Sequence, residues 1–256
     1  MIQFEKIDAV GKITLKRPEK YNSFVREMAL VLQDILNDCA INDSIRCILI
    51  TGAGKAFCAG QDLKEAMDPT GPGIEQIVRT HYNPIIKKIR EIEKPVIAAV
   101  NGVAAGAGAN LALACDIVIA TKSANFIQAF SKIGLIPDSG GTYFLPRLIG
   151  LSKASAIMMT GQPVSAEKAE QMGMIYAVYE DAEFEIKSLE LAKSISEMPT
   201  KGLGYTKKLL NHSLDNSLDE QLDLEAETQA LSAKSEDHKE GIQAFLEKRA
   251  PIFTGK

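Results

Sequence analysis

Unbroken apolar stretches alternate with amphipathic stretches along most of the chain. Buried strands are predicted at 46–52, 95–100 and 115–120, around apolar runs such as Cys47–Ile50 and Pro95–Val100, and the periodic stretches at 24–39 and 74–92 predict helices. Strands that are apolar throughout and alternate with helices are typical of a parallel sheet covered on both faces. The pattern therefore predicts an α/β fold.

Turn residues and the loss of the strand pattern delimit the rest of the chain. Residues 2–16 are predicted to form a hairpin, and residues 64–73, which contain two glycines and two prolines, to form an irregular rim or lid. Toward the C-terminus the strand pattern ends and four helices are predicted, the last at Ser235–Arg249. We expect a core over 1–195 and a C-terminal helical region over 196–256.

Two segments rich in glycine and alanine each follow a predicted buried strand. The first is Lys55–Leu63 (KAFCAGQDL) and the second is Asn101–Leu111 (NGVAAGAGANL). Each leads toward a helix, where backbone N–H groups lack partners, and the small side chains let a ligand oxygen approach the main chain. Two such amides directed at one point would form an oxyanion hole, which stabilises negative charge on a carbonyl oxygen.

These segments have two other possible interpretations. The run Gly106-Ala107-Gly108 after a strand is compatible with dinucleotide binding, but Asp116 comes too early for the ribose-binding acid, and residues 124–134 contain no acid. Close packing of a helix on a sheet also explains either segment alone. The occurrence of two such segments, each behind a core strand, makes packing alone less attractive.

Asp138 is the candidate acid or base of the chain, because it precedes the pair Gly140–Gly141 and follows an apolar stretch. One interpretation is an N-cap at the start of a helix, a position that aspartate favours. The other is a carboxylate in an apolar pocket, where burial would raise its pKa and let it accept and donate protons. The apolar neighbours that would form such a pocket are Ile133, Leu135 and Ile136.

Composition limits the remaining possibilities. The chain has 256 residues, 46% of them hydrophobic, which is enough for one large core. Its net charge of -4 comes from interspersed acids and bases, so no basic face for nucleic acid is expected. The four cysteines show neither metal-site nor disulfide spacing. No secretory signal or membrane span is evident, and a cytoplasmic location is expected.

Four ordered motifs resemble the crotonase superfamily, the enoyl-CoA hydratases and isomerases. They are Ala56–Leu63, Asn101–Asp116, Ile136–Thr142 and Glu240–Arg249. The resemblance covers essentially the whole chain. It implies a spiral of ββα units with a C-terminal helical trimerisation region, assembled as a homotrimer or as a hexamer made of two trimers. It also implies an acyl-CoA substrate and no metal or redox cofactor.

The resemblance also implies roles for individual residues. The amides of Ala59 and Ala107 are expected to bind the thioester carbonyl oxygen. Phe245 and Lys248 match positions that, in relatives, reach CoA bound to a neighbouring subunit. The full set expected to contact substrate or CoA is Ala59, Gly60, Gln61, Asp62, Leu63, Gly106, Asn110, Phe130, Phe245 and Lys248.

The chain departs from the hydratase pattern at three positions. The two positions where hydratases place glutamates hold Asn110 and Phe130, and Asp138 stands where hydratases have glycine. This arrangement is similar to isomerase branches of the superfamily. It implies isomerisation of an enoyl-CoA or of a ring-epoxide phenylacetyl-CoA, with Asp138 as the catalytic carboxylate. Two alternatives stay open: hydration of a 2-enoyl-CoA, and RNA binding without catalysis.

Overall fold

The computed structural model describes residues 1–256, which form ten strands and twelve α-helices. The strands are β1 (Ile2–Ile7), β2 (Val10–Leu15), β3 (Cys47–Gly52), β4 (Ala56–Cys58), β5 (Val96–Val100), β6 (Val103–Ala105), β7 (Ile117–Thr121), β8 (Asn125–Ile127), β9 (Pro163–Ser165) and β10 (Ala177–Tyr179). The first eight helices are α1 (Arg26–Ile41), α2 (Leu63–Ala66), α3 (Ile74–Ile77), α4 (Asn83–Glu91), α5 (Ala107–Leu113), α6 (Gly141–Ile149), α7 (Leu151–Thr160) and α8 (Ala166–Gln171). The last four are α9 (Phe184–Ser196), α10 (Thr200–His212), α11 (Leu218–Ser232) and α12 (Glu236–Glu247).

The larger sheet has six strands in the order β1-β2-β3-β5-β7-β10. β1 and β2 form the predicted antiparallel hairpin, and every other neighbouring pair is parallel. The predicted buried strands at 46–52, 95–100 and 115–120 correspond to β3, β5 and β7. The prediction of a parallel core sheet is therefore confirmed.

A second sheet, in the order β4-β6-β8-β9, was not predicted. Each of its strands is only three residues long, which is too short for a periodic pattern to be recognised. β4, β6 and β8 pair in parallel, and β9 closes the sheet as an antiparallel edge strand. β4 and β6 lie within the two small-residue segments, so this sheet places those segments side by side.

Apolar side chains cover both faces of the larger sheet. Ile48 and Ile50 of β3 belong to the main core cluster of 42 buried residues, together with side chains of α1, α4 and α5. Leu49 faces the other way and packs with Phe184 and Ala192 of α9 in a second cluster of 8 residues. Alternate residues of a strand point to opposite faces, so the unbroken apolar run follows directly from burial on both sides.

The predicted helix at 74–92 is interrupted by a wider turn. α3 and α4 flank a π-helical turn at Val78–Tyr82. The predicted irregular segment at 64–73 begins inside the short α2 and is otherwise non-helical up to Gly73. Four helices follow β10, as predicted, and the division of the chain at 195 stays a prediction.

All four cysteines are buried and free. Burial raises the pKa of Cys39 to about 11 and that of Cys58 to about 12. None of the helices combines the length and the apolar character that crossing a membrane would require.

Candidate active site

A cavity of about 420 Å³ lies beside the two small-residue segments. Thirteen of its 17 lining residues are hydrophobic. Eight of the residues predicted for the site line it: Ala59, Gly60, Gln61, Leu63, Gly106, Ala107, Phe130 and Asp138. A larger cavity of about 540 Å³ is formed mainly by α4, α6 and α10, but neither small-residue segment reaches it. The smaller cavity is therefore the candidate active site.

The second sheet brings the two segments together. β4 pairs with β6 in parallel, with Cys58 opposite Ala104, so the residues that follow each strand emerge side by side. Gly60 has a φ of +92°, and a Cβ there would lie 3.0 Å from the Ala105 carbonyl oxygen and 3.4 Å from the Ala107 nitrogen. Only glycine fits this conformation and this approach without strain. At Gly60 the two segments therefore pack closely against each other, and their main chain also borders the cavity.

The structure corrects one of the two expected amide donors. The N–H of Ala59 already donates to the carbonyl of Tyr21 at 2.9 Å, so it is not available to a ligand. The N–H of Gln61 has no acceptor in the protein. The backbone bonds to Phe24 involve its two neighbours: the carbonyl of Gly60 accepts the Phe24 N–H, and the N–H of Asp62 donates to the Phe24 carbonyl. The carbonyl of Tyr21 comes from a distant loop, so local sequence could not reveal this pairing.

The amide of Ala107, the second expected donor, is free of partners beside the cavity, and its role stays a prediction. Ala107 is the first residue of α5, and the N–H groups of a first helical turn have no partner within the helix. The N–H of Ala107 makes no hydrogen bond in the fold. The available amides beside the cavity are thus those of Gln61 and Ala107, on two main-chain segments in contact with each other.

Asp138 is the only carboxylate among the residues that line the cavity. Burial raises the pKa of this carboxyl, and the Ser139 hydroxyl, which donates to Oδ1 at 2.8 Å, opposes that rise. The N-cap of α6 is Gly140, so Asp138 does not cap that helix with its side chain. Of the three apolar neighbours expected around it, Ile133 and Leu135 line the cavity, whereas Ile136 is 82% exposed.

Asn110 is not a ligand-binding residue in this structure, which corrects a second expectation. Its side chain is completely buried and does not line the cavity. Nδ2 donates to the main-chain carbonyl of Asp138 at 2.8 Å, and Oδ1 accepts from Nε2 of Gln128 at 2.7 Å. The amide therefore supports the loop that carries the carboxylate.

Asp62 also has an internal role. Its carboxylate accepts hydrogen bonds from Nη2 of Arg17 at 2.9 Å and from the N–H of Lys64 at 3.0 Å, and it caps α2. Burial alone would raise the pKa of Asp62, but these hydrogen bonds together hold it below its usual value. Its side chain lies outside the cavity wall, so it holds the segment in place.

Phe245 and Lys248 do not line the cavity of their own chain. Phe245, on α12, is 82% exposed, and Lys248 follows that helix in a left-handed conformation with a φ of +55°. Both are on the surface of the C-terminal helical region. Their expected contact with CoA on a neighbouring subunit stays a prediction.

Tyr82 is a cavity residue that sequence reasoning missed. Its side chain is 1% exposed, and its hydroxyl donates to Oε1 of Gln61 at 2.7 Å. Burial raises the pKa of the phenol well above its usual value, with smaller contributions from nearby acidic groups. Tyr82 lies inside a predicted helix and outside every motif, so no sequence signal marked it.

Comparison with known families assigns the chain to a family. The family model described as enoyl-CoA hydratase/isomerase matches residues 5–256. The chain belongs to the enoyl-CoA hydratase/isomerase family. The resemblance to the crotonase superfamily seen in the sequence is thereby confirmed, and the chain is an acyl-CoA isomerase or hydratase of that superfamily.

Individual members of the enoyl-CoA hydratase/isomerase family match nearly the whole chain. The 1,2-epoxyphenylacetyl-CoA isomerase of Escherichia coli (strain K12) is 50% identical over 250 residues, covering 96% of this chain and 95% of that protein. A probable enoyl-CoA hydratase of Rhodobacter capsulatus is 42% identical, covering 100% and 98%. The crystal structure of an enoyl-CoA hydratase from Bacillus anthracis superimposes with a TM-score of 0.92 at 34% identity, covering 100% and 99%. These matches confirm the predicted crotonase fold.

Proposed function

We propose that this protein is an acyl-CoA isomerase with one catalytic carboxylate. Asp138 is the base and then the acid, and the N–H groups of Gln61 and Ala107 bind the thioester carbonyl oxygen. The observation that carries this proposal is the position of Asp138 as the only carboxylate in an apolar cavity that two unpaired amides also border.

The chemistry follows from these groups. Two N–H donors on the carbonyl oxygen stabilise the enolate that forms when a proton leaves a neighbouring or vinylogous carbon, and one such donor typically lowers the barrier by about 3–4 kcal/mol. Asp138 takes that proton and returns it to another carbon of the same molecule. The substrate and product have the same atoms, so the proposed reaction needs no water, metal or redox cofactor.

Two substrate classes fit this chemistry. A 3-enoyl-CoA would undergo a shift of its double bond to the 2-enoyl form, and a ring-epoxide phenylacetyl-CoA would undergo ring expansion to an oxepin. The apolar walls of the cavity suit either acyl group. The 50% identity to a 1,2-epoxyphenylacetyl-CoA isomerase supports the ring epoxide as the substrate to test first.

Hydration is less well supported. Addition of water to a 2-enoyl-CoA needs a base for the water and an acid for the α-carbon, and hydratases place glutamates at the positions of Asn110 and Phe130. Phe130 carries no acid, and both polar atoms of the Asn110 side chain are hydrogen-bonded within the protein. The cavity therefore supplies one proton-transfer group where hydration requires two.

The experiment compares isomerisation with hydration directly. Purified protein is incubated with a ring-epoxide phenylacetyl-CoA, a 3-enoyl-CoA and crotonyl-CoA, and the products are separated by mass and retention time. We expect isomers from the first or second substrate and little water addition to the third. Asp138→Asn should lower isomerisation about a hundredfold or more while CoA-ester binding is kept. Unchanged turnover in that variant, or hydration as the main reaction, would overturn the proposal.

We also propose that the chain assembles as a trimer or as a hexamer made of two trimers. The C-terminal helical region exposes large apolar side chains, among them Phe245 (82%), Leu246 (70%) and Ile252 (77%). Large exposed apolar side chains clustered in one region are typical of interaction sites. In the trimer, Phe245 and Lys248 would reach CoA bound by the neighbouring chain.

A further inference from the structure

The side chain of Gln61 is held at both ends. Its Oε1 accepts a hydrogen bond from the Tyr82 hydroxyl at 2.7 Å, and its Nε2 donates to Oε2 of Glu65 at 3.0 Å. A carboxylate has no hydrogen to donate, so Nε2 must face Glu65 and Oε1 must face Tyr82. We call these three side chains the Gln61 network.

The network connects the amide-bearing segment to other elements of the fold. The Glu65 carboxylate also accepts the N–H of Arg26, the first residue of α1, at 2.9 and 3.1 Å. Tyr82 ends the π-helical turn between α3 and α4. Turns of this type are frequent at functional sites. Gln61 is thus attached through its side chain to α1, α2 and this turn.

Tyr82 is a permanent and rigid donor. The ring is 1% exposed and packs against Phe24, with ring centroids 5.9 Å apart at an angle of 58°. Burial raises the pKa of the phenol well above its usual value, so the hydroxyl keeps its hydrogen at neutral pH. A buried aromatic ring with one hydroxyl contact can hold its partner with little motion.

The backbone at Gln61 needs such support. Gln61 follows Gly60, which has a φ of +92° and, without a Cβ, restricts the main chain less than other residues do. The N–H of Gln61 itself has no partner in the protein. The segment is held through the backbone by bonds of the neighbouring residues, to Phe24 at 2.7 and 2.8 Å and to Tyr21 at 2.9 Å, but by none of the Gln61 N–H itself. A small misplacement of a catalytic group costs a large factor in rate.

We propose that Tyr82 is a positioning residue of the isomerase, because its hydroxyl holds the Gln61 side chain and thereby directs the Gln61 N–H at the substrate carbonyl. This inference rests on the proposed function of the Gln61 and Ala107 amides. Tyr82 contributes a donor to Gln61, whereas the contact with substrate is made by the main chain of Gln61.

The kinetic test is a double-mutant cycle. Tyr82→Phe keeps the ring and removes only the hydroxyl, whereas Gln61→Met keeps the backbone amide but removes both the acceptor of Tyr82 and the donor to Glu65. We expect each substitution to lower kcat about 10- to 100-fold, which is no more than the effect of removing an oxyanion-hole donor altogether. KM should change by less than about threefold. The double variant should be no slower than the worse single variant. Tyr176→Phe, at a tyrosine that is 68% exposed, should match the unmodified protein.

Two kinetic results would overturn the inference. A kcat for Tyr82→Phe within about twofold of the unmodified enzyme would show that the hydroxyl is not needed. The loss expected for a positioning residue is at least tenfold, which corresponds to about 1.4 kcal/mol in the barrier. Additive losses in the double variant would show that Tyr82 acts without Gln61. Thermal unfolding of both variants separates a loss of folded protein from a loss of rate.

A second measurement does not depend on turnover. Phenylacetyl-CoA labelled with ¹³C at the thioester carbonyl lacks the epoxide, and isotope-edited infrared spectra of the bound ester report the strength of hydrogen bonding to its oxygen. We expect the carbonyl stretch to move to lower frequency on binding, and to move less in Tyr82→Phe and Gln61→Met. Equal shifts in all three proteins would overturn the inference. An inactive parent enzyme that still shows the difference would contradict the proposed function and leave the role of Tyr82 intact.

Discussion

The side-chain amide of Asn110 donates to the main-chain carbonyl of Asp138 at 2.8 Å. The same carbonyl accepts the N–H of Gly141 at 2.8 Å, where α6 begins. A position that holds an acid in hydratases is therefore occupied by a residue that supports the proposed base of an isomerase. The exchange of glutamate for asparagine removes one proton-transfer group and fixes the loop that carries the other.

Asn110→Leu tests this relationship. The substitution keeps the approximate volume, leaves the Asp138 carbonyl with one donor, and removes the acceptor of Gln128, a residue that is 1% exposed and whose Oε1 already has no partner. We expect a loss of about 1–3 kcal/mol in the free energy of unfolding, measured with denaturant, and a larger fall in kcat than rise in KM. Asn37→Leu, on the exposed face of α1, should change stability by no more than about 0.5 kcal/mol. Equal stability of both variants would contradict this role.

The pH dependence of activity should report the Asp138 carboxyl. As the base it must be ionised, so kcat/KM falls when the pH drops through its raised pKa. The hydrogen bond from the Ser139 hydroxyl favours the ionised form, so Ser139→Ala should raise the pKa further and move the acid limb of kcat/KM to higher pH. A limb that moves to lower pH would exclude Asp138 as the titrating base.

The same carboxyl should lower stability at neutral pH. Its pKa is higher in the folded than in the unfolded chain, so the stability contributed by the protonated form is fully present below the unfolded pKa and is lost as the pH rises through the folded pKa. Asp138→Asn should therefore melt at a higher temperature than the unmodified protein at neutral pH. Calorimetry below pH ~3.9, the ordinary aspartate value, should show the two proteins closer together. A less stable variant at neutral pH would contradict the assignment.

Gly60→Ala should separate backbone strain from steric collision. Gly60 and Gly150 have similar positive φ values, +92° and +79°, but a Cβ at 60 meets the Ala105 carbonyl oxygen at 3.0 Å, whereas a Cβ at 150 has no atom within 4 Å. Both alanine variants carry a strain of about 1–3 kcal/mol. Gly60→Ala should lose more stability than Gly150→Ala in denaturant unfolding, and it alone should lose isomerase activity. Equal effects would mean that close contact between the two segments is unimportant.

Lys248→Asn tests the proposed contact between subunits. Asparagine tolerates the left-handed conformation found at this position, where φ is +55°. Loss of the ammonium group should raise KM for an acyl-CoA and leave KM for the matching acyl-pantetheine, which lacks the nucleotide, unchanged. Analytical ultracentrifugation of the same samples should show a trimer or hexamer before and after the substitution. An equal rise in KM for both esters would argue against contact with the nucleotide.

Much of the fold was predictable because local sequence determines it. β3 and β5 are unbroken apolar runs, and such runs identify strands that are buried on both faces. β4 and β6, with three residues each, carry no such pattern, and their pairing depends on contacts between distant parts of the chain. The strands that place the candidate site were therefore the ones that periodicity could not identify.

The candidate site residues also fall into two groups, those that local sequence indicates and those that depend on distant contacts. Asp138 and Ala107 could be expected at the cavity from the sequence, because each lies in a segment whose local pattern marks it, and both line the cavity. The choice between Ala59 and Gln61 could not, because it depends on the Tyr21 carbonyl, which reaches Ala59 at 2.9 Å from a loop far away in sequence. Tyr82 is a comparable case, since its role depends on a single hydroxyl contact across the cavity.

Because the thiol of Cys58 is buried, its chemical labelling can report local opening of the structure around it. Its Sγ accepts the N–H of Gly60 at 3.4 Å, and the side chain is 0% exposed. An alkylating reagent can reach that sulfur only when the structure around it opens, so the labelling rate reports local opening. A CoA ester bound in the cavity beside this segment should slow the labelling, so the native thiol would report ligand binding without an engineered label.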